Sequence, residues 1–143
     1  MFFLSDHFND LIMRALSEEL RIVNKHLVYR KKSLCDLLSM DIPYLVLRDG
    51  SKSLVDRREL ILLKNLVEGD PCKLMLPIII EYNPSLGKSA YVVRDEIAAK
   101  ALSKLLSLKY ENGPLILYRP QLYMVRLKLR TVTTIIFIPS SPS

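Results

Sequence analysis

Apolar positions along the chain follow two periods, and the places where one gives way to the other mark its elements. Residues 77–82 hold the densest apolar run, with Ile78, Ile79 and Ile80 after Pro77 and Tyr82 at its end. A turn at Asn83-Pro84-Ser85-Leu86-Gly87 separates it from residues 89–93, where Tyr91, Val92 and Val93 again suit a pleated surface. At Asp95 the period lengthens to that of a helix. Asp95 is a natural N-cap for residues 96–108, whose Ile97, Ala101, Leu102, Leu105 and Leu108 form one stripe while Lys100 and Lys104 point the other way. A hairpin covered by a helix is therefore the expected centre of the fold.

The remaining elements follow from the same reading. Residues 8–27 repeat Phe8, Leu11, Ile12, Ala15, Leu16, Leu20, Val23 and Leu27 at threes and fours, with Ser5 or Asp6 as cap, and predict a first helix. Ser33 can cap a short helix carrying Leu34, Leu37 and Leu38, which Pro43 brings to an end. Residues 44–47 and 52–55 flank Asp49-Gly50, a pair that readily takes the positive φ of a hairpin turn. Asp56 then caps a helix with Glu59 at its third position, close to a capping box, and with Leu60, Leu63 and Val67 inward as far as Gly69-Asp70-Pro71. Beyond Asn112-Gly113-Pro114 come a strand at residues 115–118, a last strand at 133–138 and a short Ser/Pro tail at 140–143.

Residues 119–130, RPQLYMVRLKLR, fit both periods. As a strand, Tyr123, Val125, Leu127 and Leu129 alternate with Met124, Arg126, Lys128 and Arg130. As a helix, Pro120 suits the first turn, and Arg119, Tyr123, Arg126 and Arg130 share a face. The helix is preferred, because a strand running from Tyr123 to Ile138 would exceed the usual length of roughly 3–10 residues. Either way Arg126 and Arg130 project together. These elements predict an α+β fold: a single compact domain over residues 1–139, with N-terminal helices, then mixed β-hairpins and helices, and a C-terminal strand–helix–strand unit.

Composition narrows the classes. The longest apolar run, residues 74–80, contains Pro77 and is far short of the ~20 residues that span a bilayer, and the first residues lack a positive leader. A cytoplasmic location with no membrane partner is the expectation. Gln121 is the only glutamine while Lys, Arg, Leu and Ile are plentiful, a balance resembling that of thermophile proteins. Cys35 and Cys72 read as small buried hydrophobes, a disulfide between them being possible but without other support in the sequence, and His7 and His26 complete no zinc spacing. No metal and no cofactor are expected. The net charge of +6 is one-sided: residues 96–143 carry seven Lys/Arg against two Asp/Glu, while the first 95 are nearly balanced. Such an excess points to an anionic partner.

Gly87-Lys88-Ser89 invites comparison with a phosphate-binding loop, but the first glycine of that motif would fall on Tyr82, and a strand follows where a helix is needed. A histidine-based triad finds no nucleophile elbow. Carboxylates such as Glu18, Glu19, Glu81 and Asp95 serve more simply as caps and exposed faces. The basic cluster carries the lead: Arg119, Arg126 and Arg130 can grip phosphate oxygens, with Lys128 beside them and the ring of Tyr123 available to stack. Arg30, Lys31 and Lys32 would extend that surface if the fold brings them near.

The basic run RKKSLCDLL, the hairpin RDGSKSLVDRREL, the strand LPIIIEY and the ending YRPQLYMVRLKLRTVTTIIF together resemble the archaeal uncharacterised protein family 0216, over residues 11–138. The resemblance implies an archaeal cytoplasmic protein and supplies no activity and no site residues. The expected function is a small basic RNA-binding protein whose partner is RNA or a ribonucleoprotein, as a monomer or homodimer. A homodimeric interaction scaffold and an enzyme of unrecognised class are the alternatives.

Overall fold

A computed structural model of the chain describes residues 30–131 and 134–138. The predicted first helix, both histidines and the Ser/Pro tail lie outside the described residues. Among the described residues, fourteen short segments follow in order. They are β1 (Lys32–Ser33), α1 (Leu34–Leu38), β2 (Tyr44–Val46), β3 (Lys52–Leu54), α2 (Arg57–Leu66), a 3-10 turn (Pro71–Lys73), β4 (Met75–Leu76), β5 (Ile78–Tyr82), a second 3-10 turn (Pro84–Leu86), β6 (Tyr91–Val93), α3 (Glu96–Leu105), β7 (Leu115–Leu117), α4 (Arg119–Lys128) and β8 (Ile135–Ile138). The fold is α+β, as the periodicities predict. No helix among the described residues is long and apolar enough to cross a membrane.

A four-stranded sheet of order β7-β6-β5-β8 organises the rest. Its centre is the predicted hairpin: Tyr82 pairs with Tyr91 and Glu81 with Val92, and Asn83 N donates to Ala90 O at 2.9 Å to close the loop. Gly87-Lys88-Ser89 belongs to that loop and leads into β6, so the strand expected after it is present. β6 also pairs antiparallel with β7, whereas β8 runs parallel to β5, with Ile78 opposite Ile135. The strand–helix–strand unit β7-α4-β8 therefore straddles the hairpin, its two strands parallel and on opposite sides of it. Side chains alternate accordingly: Ile78, Ile80, Tyr91, Val93, Leu115, Leu117 and Ile135 join the main core, with Leu102, Leu122 and Val125 from the helices.

Local chemistry sets the ends of the helices. Ser33, Asp56 and Asp95 accept from Asp36 N, Arg58 N and Ala98 N at 3.1, 2.9 and 3.0 Å. α3 stops at Leu105, three residues before the expected end. Ser107 takes φ 55, and Ser107 N and Leu108 N donate to Lys104 O and Ser103 O at 3.2 and 2.8 Å, a Schellman closure built on serine where glycine is usual. Asp49-Gly50 makes the β2–β3 turn, Gly50 with φ 87.

The reading of the cysteines is overturned. Cys35 and Cys72 form a disulfide, with Cα atoms 4.8 Å apart, and Cys72 is exposed. Their approach depends on tertiary pairing: Lys32 lies opposite Leu76 and Ser33 opposite Met75, and Leu34 N donates to Leu74 O at 2.9 Å. That ladder brings α1 beside the 3-10 turn, and nothing in the spacing of the two cysteines signals it.

Candidate nucleic-acid interface

Residues 119–130 are helical to Lys128, so the helical alternative holds for most of the segment. Gln121 Oε1 accepts from Tyr118 N at 2.6 Å, which secures the first turn where Pro120 has no N–H to offer. Leu122, Val125 and Leu129 are buried, and the predicted basic face lies around them.

That face divides along the helix. Arg119 and Tyr123, on its first turns, are half-buried; Tyr123 packs against the core, and Arg119 Nε is buried without a hydrogen-bond partner. The positive charge of Arg119 is felt at Tyr91, where it offsets in part the burial that raises that phenol above its ordinary value. Arg126, Lys128 and Arg130 lie toward the other end. Arg126 turns back on its own helix terminus, donating to Leu129 O, Arg130 O and Thr131 O at 2.7, 3.2 and 3.4 Å. Lys128 Nζ donates to Leu105 O at 3.1 Å and so covers the end of α3. Arg130 Nε reaches Leu127 O at 3.3 Å while the side chain stays exposed. Cations at helix C-termini meet the negative end of the macrodipole, which steadies them without removing their charge.

α2 supplies the opposite wall. Asp56, Arg58, Glu59 and Leu62 face Leu127, Lys128 and Arg130 across a depression of about 340 Å³. Arg58 bridges Asp56 at 2.9 Å, and this contact holds the Asp56 carboxyl below its ordinary value. Glu59 does not complete a capping box. The residue is 7% exposed, and its carboxylate accepts from Arg130 N and from Thr131 N, the latter at 3.0 and 3.1 Å. Asp56 N adds a contact to Thr131 Oγ1 at 3.3 Å. The segment after α4 is thereby strapped across the start of α2, and the strap is what sets Arg130 beside Arg58.

Sequence reasoning had no part for Arg58 or Glu59 in this site. One signal was present: Glu59 shares a helix face with Leu63, four residues on, so an acidic group sits on the buried stripe and must find donors there.

The N-terminal basic run has contacts of its own. Lys32 Nζ and Lys52 Nζ lie 4.6 and 4.5 Å from the centroid of the Tyr44 ring, so one ring meets a cation from each of the two small sheets. Lys31 is exposed and borders a depression of about 230 Å³ with Glu81, Arg94 and Asp95, and Arg30 is exposed at the start of the described residues. Arg94 bridges Glu81 at 3.3 Å. Lys31 and Arg130 line different depressions, which have no lining residue in common.

Residues 13–137 match DUF61, described as a protein of unknown function. A UPF0216 protein of Pyrococcus furiosus is 38% identical over 129 residues, which is 87% of this chain and 94% of the relative. A UPF0216 protein of Archaeoglobus fulgidus is 30% identical, with the same coverage. The solution structure of an archaeal DUF61 family protein superposes with a TM-score of 0.62 at 15% identity, covering 82% of this chain and 77% of that one, and supports the fold.

Proposed function

The chain belongs to the archaeal DUF61 (UPF0216) family, and from that premise we propose that it binds RNA through the groove between α2 and the end of α4. One observation carries this reading: Lys128 and Arg130 are held by backbone carbonyls, so each is fixed in place with its charge intact. A carboxylate partner would have cancelled that charge; a carbonyl only orients it. Arg58, 90% exposed on its side chain, stands across the groove and can exchange Asp56 for a phosphate oxygen.

The reading is narrower than the one expected from sequence. Tyr123 packs against the core and offers little ring to stack on a base, so recognition rests on the phosphate backbone and not on base identity. Affinity is then electrostatic and falls steeply with salt.

The test is a titration of single-stranded and structured RNA at several salt concentrations. Replacing Arg58 and Arg130 together by alanine lowers the slope of log affinity against log salt by about 1–2 units, the counterion release of two phosphate contacts. Absence of RNA affinity in the unaltered protein at low salt refutes the proposal. A stable dimer that ignores both salt and RNA turns the reading toward an interaction scaffold.

A further inference from the structure

The disulfide has a third neighbour. Asp70 caps the 3-10 turn that carries Cys72, and its Oδ1 accepts from Cys72 N at 2.9 Å, which fixes the carboxylate beside the sulfur. The two Sγ atoms and a carboxylate oxygen of Asp70 all lie within 4.8 Å of one another. A tetrahedral ion with bonds of about 2.3 Å to sulfur and about 2.0–2.2 Å to oxygen spaces its donors roughly 3.5–3.8 Å apart. The fold therefore brings two sulfurs and one oxygen to within about an ångström of the span of a single ion, which the sulfurs reach by parting on reduction. Cys72 and Asp70 are exposed and Cys35 is half-buried, so an ion has access and water can fill the fourth position.

We propose that reduction of the Cys35–Cys72 disulfide by a dithiol turns these cysteines and Asp70 into a site for a thiophilic divalent cation, zinc by preference. In the reduction the dithiol gives two electrons and two protons and becomes a disulfide, while the Cys35–Cys72 bond opens to two thiols. Metal binding then displaces one proton from each thiol, and two thiolates and the Asp70 carboxylate close on the ion. Two sulfurs with one oxygen favour zinc over the hard cations magnesium and calcium. Oxidation and metal binding exclude each other, because both consume the same sulfur valences. The site is thus gated by redox state, independently of the groove at α4.

The experiment uses the full chain, reduced with a phosphine, freed of reductant under argon and titrated with Co2+. Binding of one equivalent with a sulfur-to-cobalt charge-transfer band, reversed by Zn2+ and absent from the oxidised protein, is the expected result. Cys35→Ser abolishes the band, and Asp70→Asn keeps it but weakens binding by at least the roughly tenfold loss that follows removal of an outer-shell partner. The same titration in urea controls for folding. If the reduced, folded chain binds Co2+ no more tightly than the urea-unfolded chain, or if Asp70→Asn binds as the parent does, the proposed site does not exist.

Discussion

Glu59→Ala tests the strap on which the groove depends. Glu59 is buried as a residue, and its carboxylate serves two backbone donors, Arg130 N and Thr131 N, from across the fold. Truncation strands both donors, at about 1–3 kcal/mol for each unsatisfied group. The groove beside them is open, so water recovers part of that cost, and a loss of about 2–4 kcal/mol is expected. Glu59→Gln keeps an acceptor oxygen for both donors and gives up the charge and the second oxygen, so about 1 kcal/mol is expected. Urea unfolding followed by far-UV circular dichroism and by tyrosine fluorescence measures both, the chain having no tryptophan. The melting temperature should fall by roughly 3 °C for each kcal/mol in a chain of this size. A Glu59→Ala protein within 0.5 kcal/mol of the parent, or equal losses for Gln and Ala, would show that the strap is held by something other than this carboxylate.

Two further outcomes follow from the same structure. Opening the disulfide, by reductant or by paired Cys→Ser changes, should lower stability by about 4 kcal/mol at most, the loop-closure entropy for a separation of 37 positions, read from the shift in urea midpoint. Burial raises Tyr91 above its ordinary value of 10.0, so the native state keeps a proton that the unfolded chain loses; stability is whole below pH 10 and declines as pH rises past it, an alkaline slope that is shallower in Tyr91→Phe.

What the sequence made legible was local. Asp56 and Asp95 cap the helices assigned to them, Asp49-Gly50 turns its hairpin, and Ile78 to Ile80 form the central strand, because each depends on residues within a few positions. The stop at Ser107 carries no such signal, because serine seldom takes the left-handed conformation that closes α3. The Cys35–Cys72 pairing leaves no local signal, because it requires β1 to find β4. Within the groove the cations of α4 were visible and their wall was not: Glu59 meets Arg130 and Thr131 more than seventy positions away, and no periodicity carries such a pairing.

The parallel pairing of β5 with β8 bears on how the protein is made. Ile78 waits about sixty positions for Ile135, so a ribosome adding roughly 5–20 residues per second leaves one flank of β5 without its neighbour for about 3–12 s. During that interval the Ile-rich strand is an open template for any extended segment nearby. Yield in a cell should therefore respond to translation speed between codons 83 and 135, and to chaperones that shield nascent strands, more sharply than the finished fold's stability would suggest.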